Sequence, residues 1–125
     1  MSNPVGWFEI YVDEMPRAKA FYETILGVTL ETLSDPTEGH AQMWIFPSDM
    51  ENYGSSGALV KMDGFSAGGN STLVYFNCEN CATEESRVAA AGGEIVRTKM
   101  SLGEYGFCTL VTDNEGNMFG LHSQQ

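Results

Sequence analysis

Hydrophobic and polar residues alternate at the start of the chain and then change period. Residues 7–12 place Phe8, Ile10 and Val12 on one side of a strand and Trp7, Glu9 and Tyr11 on the other. From Pro16 onward, apolar residues recur at the spacing of an amphipathic helix, and Gly27 suits its end. This pattern predicts a strand and a helix, with the helix covering the apolar side of the strand and the side with Glu9 left bare.

The same pattern occurs a second time, 66 residues further along the chain. Tyr75 and Asn77 then take the places of Glu9 and Tyr11, although few residues are identical. A repeat of about half the chain length points to two copies of one structural unit.

Each half continues with three more strands after its helix. The predicted strands are residues 7–12, 28–34, 41–46 and 57–62 in the first half and 71–78, 94–98, 107–112 and 117–123 in the second, with a second helix at about 81–91 and a glycine-rich linker at 63–70. We therefore expect an α+β fold of two tandem βαβββ modules, about residues 5–63 and 71–123, in a single domain spanning residues 1–125. Their sheets would form one curled, cup-shaped mixed sheet with the helices outside and the bare sides lining a hollow.

Composition narrows the classes of partner. The net charge of −11, with only six Lys and Arg residues, argues against nucleic acid as a partner. No apolar run approaches the ~20 residues of a membrane span, and the first residues do not resemble a signal peptide. We therefore expect no membrane association and a cytoplasmic location.

Three cysteines are present, and two of them form a C-x-x-C motif at the start of the second helix. Cys78 and Cys81 lie where a helix N-terminus lowers a thiol pKa, which would suit redox chemistry. In the alternative interpretation, Cys78 lies on the helix-facing side of its strand and is a small core residue. The pair is followed by Ala-Thr-Glu-Glu and has no basic neighbour, which favours the core interpretation.

Two motifs carry a resemblance to a known family. The first comprises Asp13, Arg17, Ala18, Phe21, Tyr22, Leu26 and Gly27, and the second comprises Asp113, Glu115, Gly116 and Asn117. With them, nearly the whole chain resembles the vicinal oxygen chelate superfamily, the group of glyoxalases, bleomycin resistance proteins and extradiol dioxygenases. The resemblance implies the paired-module fold and a homodimer. It leaves the reaction open, because members include metal-dependent enzymes and metal-free drug-binding proteins.

The family's metal ligands lie on the first and last strands of each module. By pattern these positions correspond to Trp7, Leu73, Gly120 and a position near Lys61, none of which is a usual ligand. We therefore expect no metal and no cofactor. The alternative, a divalent metal, would use Glu9 and His122 with a third ligand from a loop. His40 and Glu104 are the loop residues suited to that role.

The remaining candidates are residues expected to face the hollow. The predicted ligand-binding residues are Trp7, Glu9, Tyr11, Trp44, Lys61, Tyr75, Asn77 and His122, and Tyr53, Phe65 and Tyr105 lie in loops that would close over them. Partial burial between Trp7 and Tyr11 would raise the pKa of Glu9 and make it an acid–base catalyst, with His122 as a proton carrier. The alternatives are a structural Glu9 paired with Lys61 or His122, an ordinary core position for Trp44, and a surface histidine at position 122.

Three functions are compatible with these residues, and one of them is a domain whose only function is association with a partner, with the cup filled by its own side chains. The leading hypothesis is a metal-free small-molecule binding protein with an aromatic cup. The alternative is a metal-dependent lyase, isomerase or dioxygenase, or a metal-free acid–base enzyme that uses Glu9.

Overall fold

The computed structural model of the chain describes residue 5 and residues 7–33, 41–49, 51–52, 54–69 and 72–125. Its elements in chain order are β1 (Trp7–Tyr11), α1 (Met15–Leu26), β2 (Glu31–Leu33), β3 (Gln42–Ile45), β4 (Ser56–Lys61), β5 (Tyr75–Asn77), α2 (Cys81–Val88), β6 (Glu94–Ser101), β7 (Phe107–Thr112) and β8 (Met118–Ser123), with a 3-10 turn at Gly103–Tyr105. The predicted α+β class with two βαβββ modules is confirmed.

The described strands form two four-stranded mixed sheets. Their orders are β1-β4-β3-β2 and β5-β8-β7-β6. In each sheet the first and last strands of the module run parallel, and the other neighbours run antiparallel. The hydrogen-bonded order thus places β1 and β5 at sheet edges. The sequence instead predicts one continuous curled sheet.

Helix α1 forms where the sequence predicts it. Pro16 lies in its first turn, where a missing N–H is tolerated. The helix ends at Gly27, whose φ of 67° is left-handed and strained for other residues. Its buried side chains are Met15, Ala18, Phe21, Tyr22 and Ile25. They form the single apolar stripe that the spacing predicts.

One aromatic cluster joins the two modules. Phe8 and Phe46 come from the first module, and Phe76 and Phe119 come from the second. Their ring centroids lie 5.9 Å apart for Phe8 and Phe76 and 5.4 Å apart for Phe46 and Phe76. Tyr22 of α1 contacts the rings of both halves. The two sheets therefore share one core on their helix-facing sides.

Some boundaries differ from the prediction. Strand β6 continues to Ser101, although residues 99–106 read as a loop in the sequence. Its pairing with β7 has register irregularities between Ile95 and Arg97 and between Arg97 and Met100. Such irregularities hide a strand, because they break the alternation of side chains. Neither of the described helices has the length and apolarity needed to cross a membrane.

The turn between β7 and β8 binds the entrance of α1. The Glu115 carboxylate accepts hydrogen bonds from the backbone N–H groups of Asp13 and Glu14 at 2.8 and 2.9 Å and from Arg17 at 2.7 Å. Its side chain is only 1% exposed. Because Glu14 supplies no side-chain cap, Glu115 satisfies the start of α1 from the other module.

Asp113 holds this turn in shape. Its carboxylate accepts from the backbone N–H groups of Glu115 and Asn117, from the Asn117 side chain and from the Tyr22 hydroxyl. Burial and the neighbouring Asp113 carboxylate raise the pKa of Tyr22 well above its ordinary value. The hydroxyl therefore remains a hydrogen-bond donor.

The Glu115 contacts predict a stability effect. We expect Glu115→Gln to lower the free energy of unfolding by about 2 kcal/mol, because a buried, charge-assisted acceptor is weakened at three donors. Glu14→Gln is the matched control, since its side chain is 67% exposed and forms only a surface ion pair with Arg17; a change below about 1 kcal/mol is expected there. Urea denaturation measures both. Equal losses in the two variants would contradict the capping role of Glu115.

Candidate functional site

The side of the sheets turned away from the shared core is called the open face. It carries Trp7, Glu9 and Tyr11 on β1, Tyr75 and Asn77 on β5, and His122 on β8. Strand alternation explains this set, since Phe8 and Phe76 point into the core and their neighbours along the strand point the other way. Trp7 is 39% exposed and Tyr75 is 48% exposed, so neither ring is buried in the core.

Glu9 lies between two aromatic donors on β1. The Trp7 indole N–H donates to one carboxylate oxygen at 3.1 Å, and the Tyr11 hydroxyl donates to the other at 2.7 Å. These bonds fix the carboxylate along the strand. The hydrogen bond to Glu9 is the main cause that raises the pKa of Tyr11. Tyr11 therefore stays a neutral donor at physiological pH.

Phe65 extends this line of side chains. Its ring stacks on Tyr11 with centroids 5.1 Å apart and planes at 25°. The linker that carries Phe65 is attached at two points: the Ala67 N–H donates to Asp13 at 3.1 Å, and the Gly68 N–H donates to Asn117 at 2.7 Å. We call Trp7, Glu9, Tyr11 and Phe65 the β1 row.

Tyr75 lies flat over the second sheet. Its strand pairs in register with β8 so that Tyr75 stands beside Gly120. A side chain added at Gly120 would collide with the Tyr75 ring. Glycine is therefore required there by close packing, and this requirement can be read from sequence only when the register is known.

His122 lies on the open face, and its side chain forms a hydrogen bond with the backbone. Its Nε2 lies 2.7 Å from the carbonyl oxygen of Tyr105. A carbonyl only accepts, so Nε2 carries the proton in this contact. The 3-10 turn Gly103–Tyr105 is thus fastened to β8. Asn77 lies beside His122 in the register and is exposed.

Trp44 and Lys61 lie on the opposite face from Glu9, which corrects their predicted placement. Trp44 pairs with Leu59, which is fully buried in the core, and the Lys19 ammonium of α1 lies 4.7 Å from the centroid of the Trp44 ring. Lys61 shares the face of Leu59 by strand alternation. The prediction that Trp44 and Lys61 bind the ligand assumed that they share a surface with Glu9, and they do not.

Glu9 also differs from its predicted environment. The sequence suggested partial burial, whereas the residue is exposed. Its partners are Trp7 and Tyr11, neither of which is the expected Lys61 or His122. The burial that would make Glu9 an acid–base catalyst is thus missing.

The candidate metal ligands among the described residues do not fit a divalent cation. Glu9 and His122 provide only two candidate ligands, and Nε2 of His122 is committed to the Tyr105 carbonyl. No group of three His, Cys, Asp or Glu residues within the described ranges is arranged to hold a metal, whereas catalytic sites normally use three protein ligands. Glu104 is exposed in its 3-10 turn, and His40 lies outside the described residues. The metal-free state stays a prediction.

Two further predicted features concern loops. Tyr53 lies outside the described residues, whereas Tyr105 is 69% exposed. A shallow, open depression of about 390 Å³ lies at the end of β4, lined by Asp13 and residues 61–66. Its lining includes Phe65, so it adjoins one end of the β1 row.

The cysteines are arranged as core residues. Cys81 is fully buried, and Cys108 is 2% exposed. Burial, reinforced by the charge of Glu84, raises the pKa of Cys78 to about 12. The thiol is therefore protonated at neutral pH, which is the opposite of what redox chemistry needs.

The paired βαβββ modules with an open face define the class of protein. The chain belongs to the Glyoxalase/Bleomycin resistance protein/Dioxygenase superfamily, whose family model matches residues 5–121. No curated protein matches the sequence.

Several solved structures share the fold at low sequence identity. Glyoxalase I from Zea mays is 19% identical with a TM-score of 0.71, and the alignment covers 97% of this chain but 46% of the maize chain. A glyoxalase/bleomycin resistance protein from Albidiferax ferrireducens T118 is 15% identical with a TM-score of 0.70, covering 98% and 100% of the two chains. The fosfomycin resistance protein FosX from Listeria monocytogenes is 16% identical with a TM-score of 0.68, covering 100% and 95%. This chain spans about half of maize glyoxalase I, and these likenesses concern the fold.

The state of the cysteines gives a direct prediction. We expect the native protein to react slowly with iodoacetamide at pH 8. The pKa of Cys78 lies well above 8, so its thiol stays protonated, and Cys81 and Cys108 are buried. The same protein in denaturant should react at all three thiols. Mass spectrometry of timed samples measures both rates. Rapid labelling of one native thiol at neutral pH would restore the redox interpretation.

Proposed function

We propose that this chain is a metal-free small-molecule binding protein, and that an aromatic ligand lies on its open face. The observation that supports this proposal is the exposure of Trp7 and Tyr75 on that face. Large exposed rings that the core does not use are typical of binding surfaces. Glu9, Asn77 and His122 add a small number of polar groups beside them, as in most small-molecule sites.

Each module contributes one part of this surface. The β1 row comes from the first module, and Tyr75, Asn77 and His122 come from the second. The contact between Phe8 and Phe76 brings the edges of the two sheets together behind it. In this proposal a planar ligand contacts rings from both modules. Glu9, with its carboxylate held by Trp7 and Tyr11, serves as an anchor in this proposal and not as a catalyst.

The oligomeric state and location belong to the same proposal. A homodimer in the cytoplasm is the state that we expect for the binding protein. Size-exclusion chromatography with light scattering tests the dimer. A monomer at micromolar concentration would remove that part and leave the binding surface unaffected.

Binding is tested with ligands of one size and different charge. Benzyl alcohol, benzylamine and benzoate are titrated into the protein with and without a chelator, and the melting temperature and tryptophan fluorescence are followed. A ligand at ten times its Kd stabilises the fold by about 1.4 kcal/mol, which raises Tm by about 5 °C for a chain of this size. We expect stabilisation by at least one compound, unchanged by the chelator.

Variants show where the ligand lies. Tyr75→Leu should weaken binding about tenfold, whereas Val96→Ala should leave it unchanged, because Val96 is an exposed apolar residue on β6 at the far edge of the second sheet. Equal effects of the two substitutions, or no binding at all, would contradict the proposal. A stoichiometric divalent ion in elemental analysis, with turnover that a chelator abolishes, would instead establish the alternative of a metal-dependent enzyme.

A further inference from the structure

The Glu9 carboxylate carries a charge that the described part of the chain does not neutralise. Its hydrogen-bond donors, Trp7 and Tyr11, are both neutral. Each of the six Lys and Arg side chains is described, and none forms an ion pair with Glu9. Arg17 binds Glu14 and Glu115, Lys19 binds Glu23, and Lys61 lies on the opposite face.

The surface around this charge is apolar. In the register of the first sheet, Ala58 lies beside Glu9 and Val60 lies beside Tyr11. Ala58 is fully buried and Val60 is 2% exposed. The floor is therefore apolar beside Glu9 and Tyr11, whereas Ser56 lies beside Trp7. The side chains of Trp7 and Tyr11 flank the carboxylate on both sides.

This combination selects one chemical class of ligand. Aromatic faces attract cations, and an adjacent carboxylate adds a full opposite charge. A small inorganic cation would need several oxygen ligands, and the row offers one carboxylate. The net charge of −11 repels anions from the whole molecule.

We propose that the β1 row binds an organic cation, an amine or quaternary ammonium group with apolar substituents, whose charge lies against Glu9 between Trp7 and Tyr11. This inference rests on the proposed function and specifies its ligand class. The cation needs no proton transfer and no covalent step. Phe65, stacked on Tyr11, closes the end of the row and holds the Tyr11 ring in place.

The three benzyl compounds and two glutamate variants test this inference. On the wild-type protein we expect benzylamine to bind about tenfold more tightly than benzyl alcohol, and benzoate to bind most weakly. Glu9→Gln should lower the affinity for benzylamine to that for benzyl alcohol and leave benzyl alcohol unchanged. Glu31→Gln is the matched control, because Glu31 is an exposed strand carboxylate on β2, at the other edge of the same sheet.

The outcomes separate this inference from the broader one. Equal binding of the three compounds, insensitive to Glu9→Gln, would overturn the cation preference and leave the binding surface supported. An equal loss in Glu9→Gln and Glu31→Gln would overturn it too, because general charge attraction would then explain the preference. If the protein is a dimer and none of the three compounds changes its tryptophan fluorescence, a second copy of the chain covers the row. That result would overturn this inference. Absence of any binding without such a dimer would overturn both proposals.

Discussion

The placement of the buried Glu115 carboxylate is the constraint on which the rest of the structure depends. This side chain belongs to the last turn of the second module, yet its donors are the backbone N–H groups of Asp13 and Glu14, which lead into α1, and the Arg17 side chain. A buried carboxylate without partners costs several kcal/mol. The turn and the helix entrance therefore have to meet, and that meeting brings the two modules into one molecule.

This constraint reaches the open face through β1. The strand ends at Tyr11, two residues before Asp13. Because Glu115 binds the Asp13 N–H, it also fixes the position of the strand end. The Asn117 side chain donates to the Tyr11 carbonyl at 3.2 Å and accepts from Gly68 of the linker. Tyr11 is thus fixed by contacts from the second module, and its hydroxyl in turn orients Glu9. The geometry of the β1 row is a consequence of how the modules are joined.

Local patterns in the sequence predicted the elements, whereas contacts between distant residues decided the site. Alternation placed Trp7, Glu9 and Tyr11 on one side correctly, since it needs only neighbouring residues. The faces of Trp44 and Lys61 relative to Glu9 depend on the registers of β4 with β1 and of β3 with β4, which no local pattern specifies. The partners of Glu115 lie 98 to 102 residues away, so its motif was visible in the sequence but its role was not. The prediction for Glu9 was wrong about burial because its ring neighbours approach it along the strand and leave it exposed.

Small residues explain why the open face is flat. Gly120 lets the Tyr75 ring lie against its sheet, and Ala58 leaves room beside Glu9. A larger residue at Gly120 would displace the Tyr75 ring. A flat arrangement leaves the faces of the rings available but buries only part of a bound molecule. Affinity on such a surface depends on the quality of a few contacts and not on total area. For the organic cation that we propose, the strongest single contact would be the Glu9 carboxylate, which Trp7 and Tyr11 hold at a fixed position. The orientation of Glu9 would then matter more than the size of any depression.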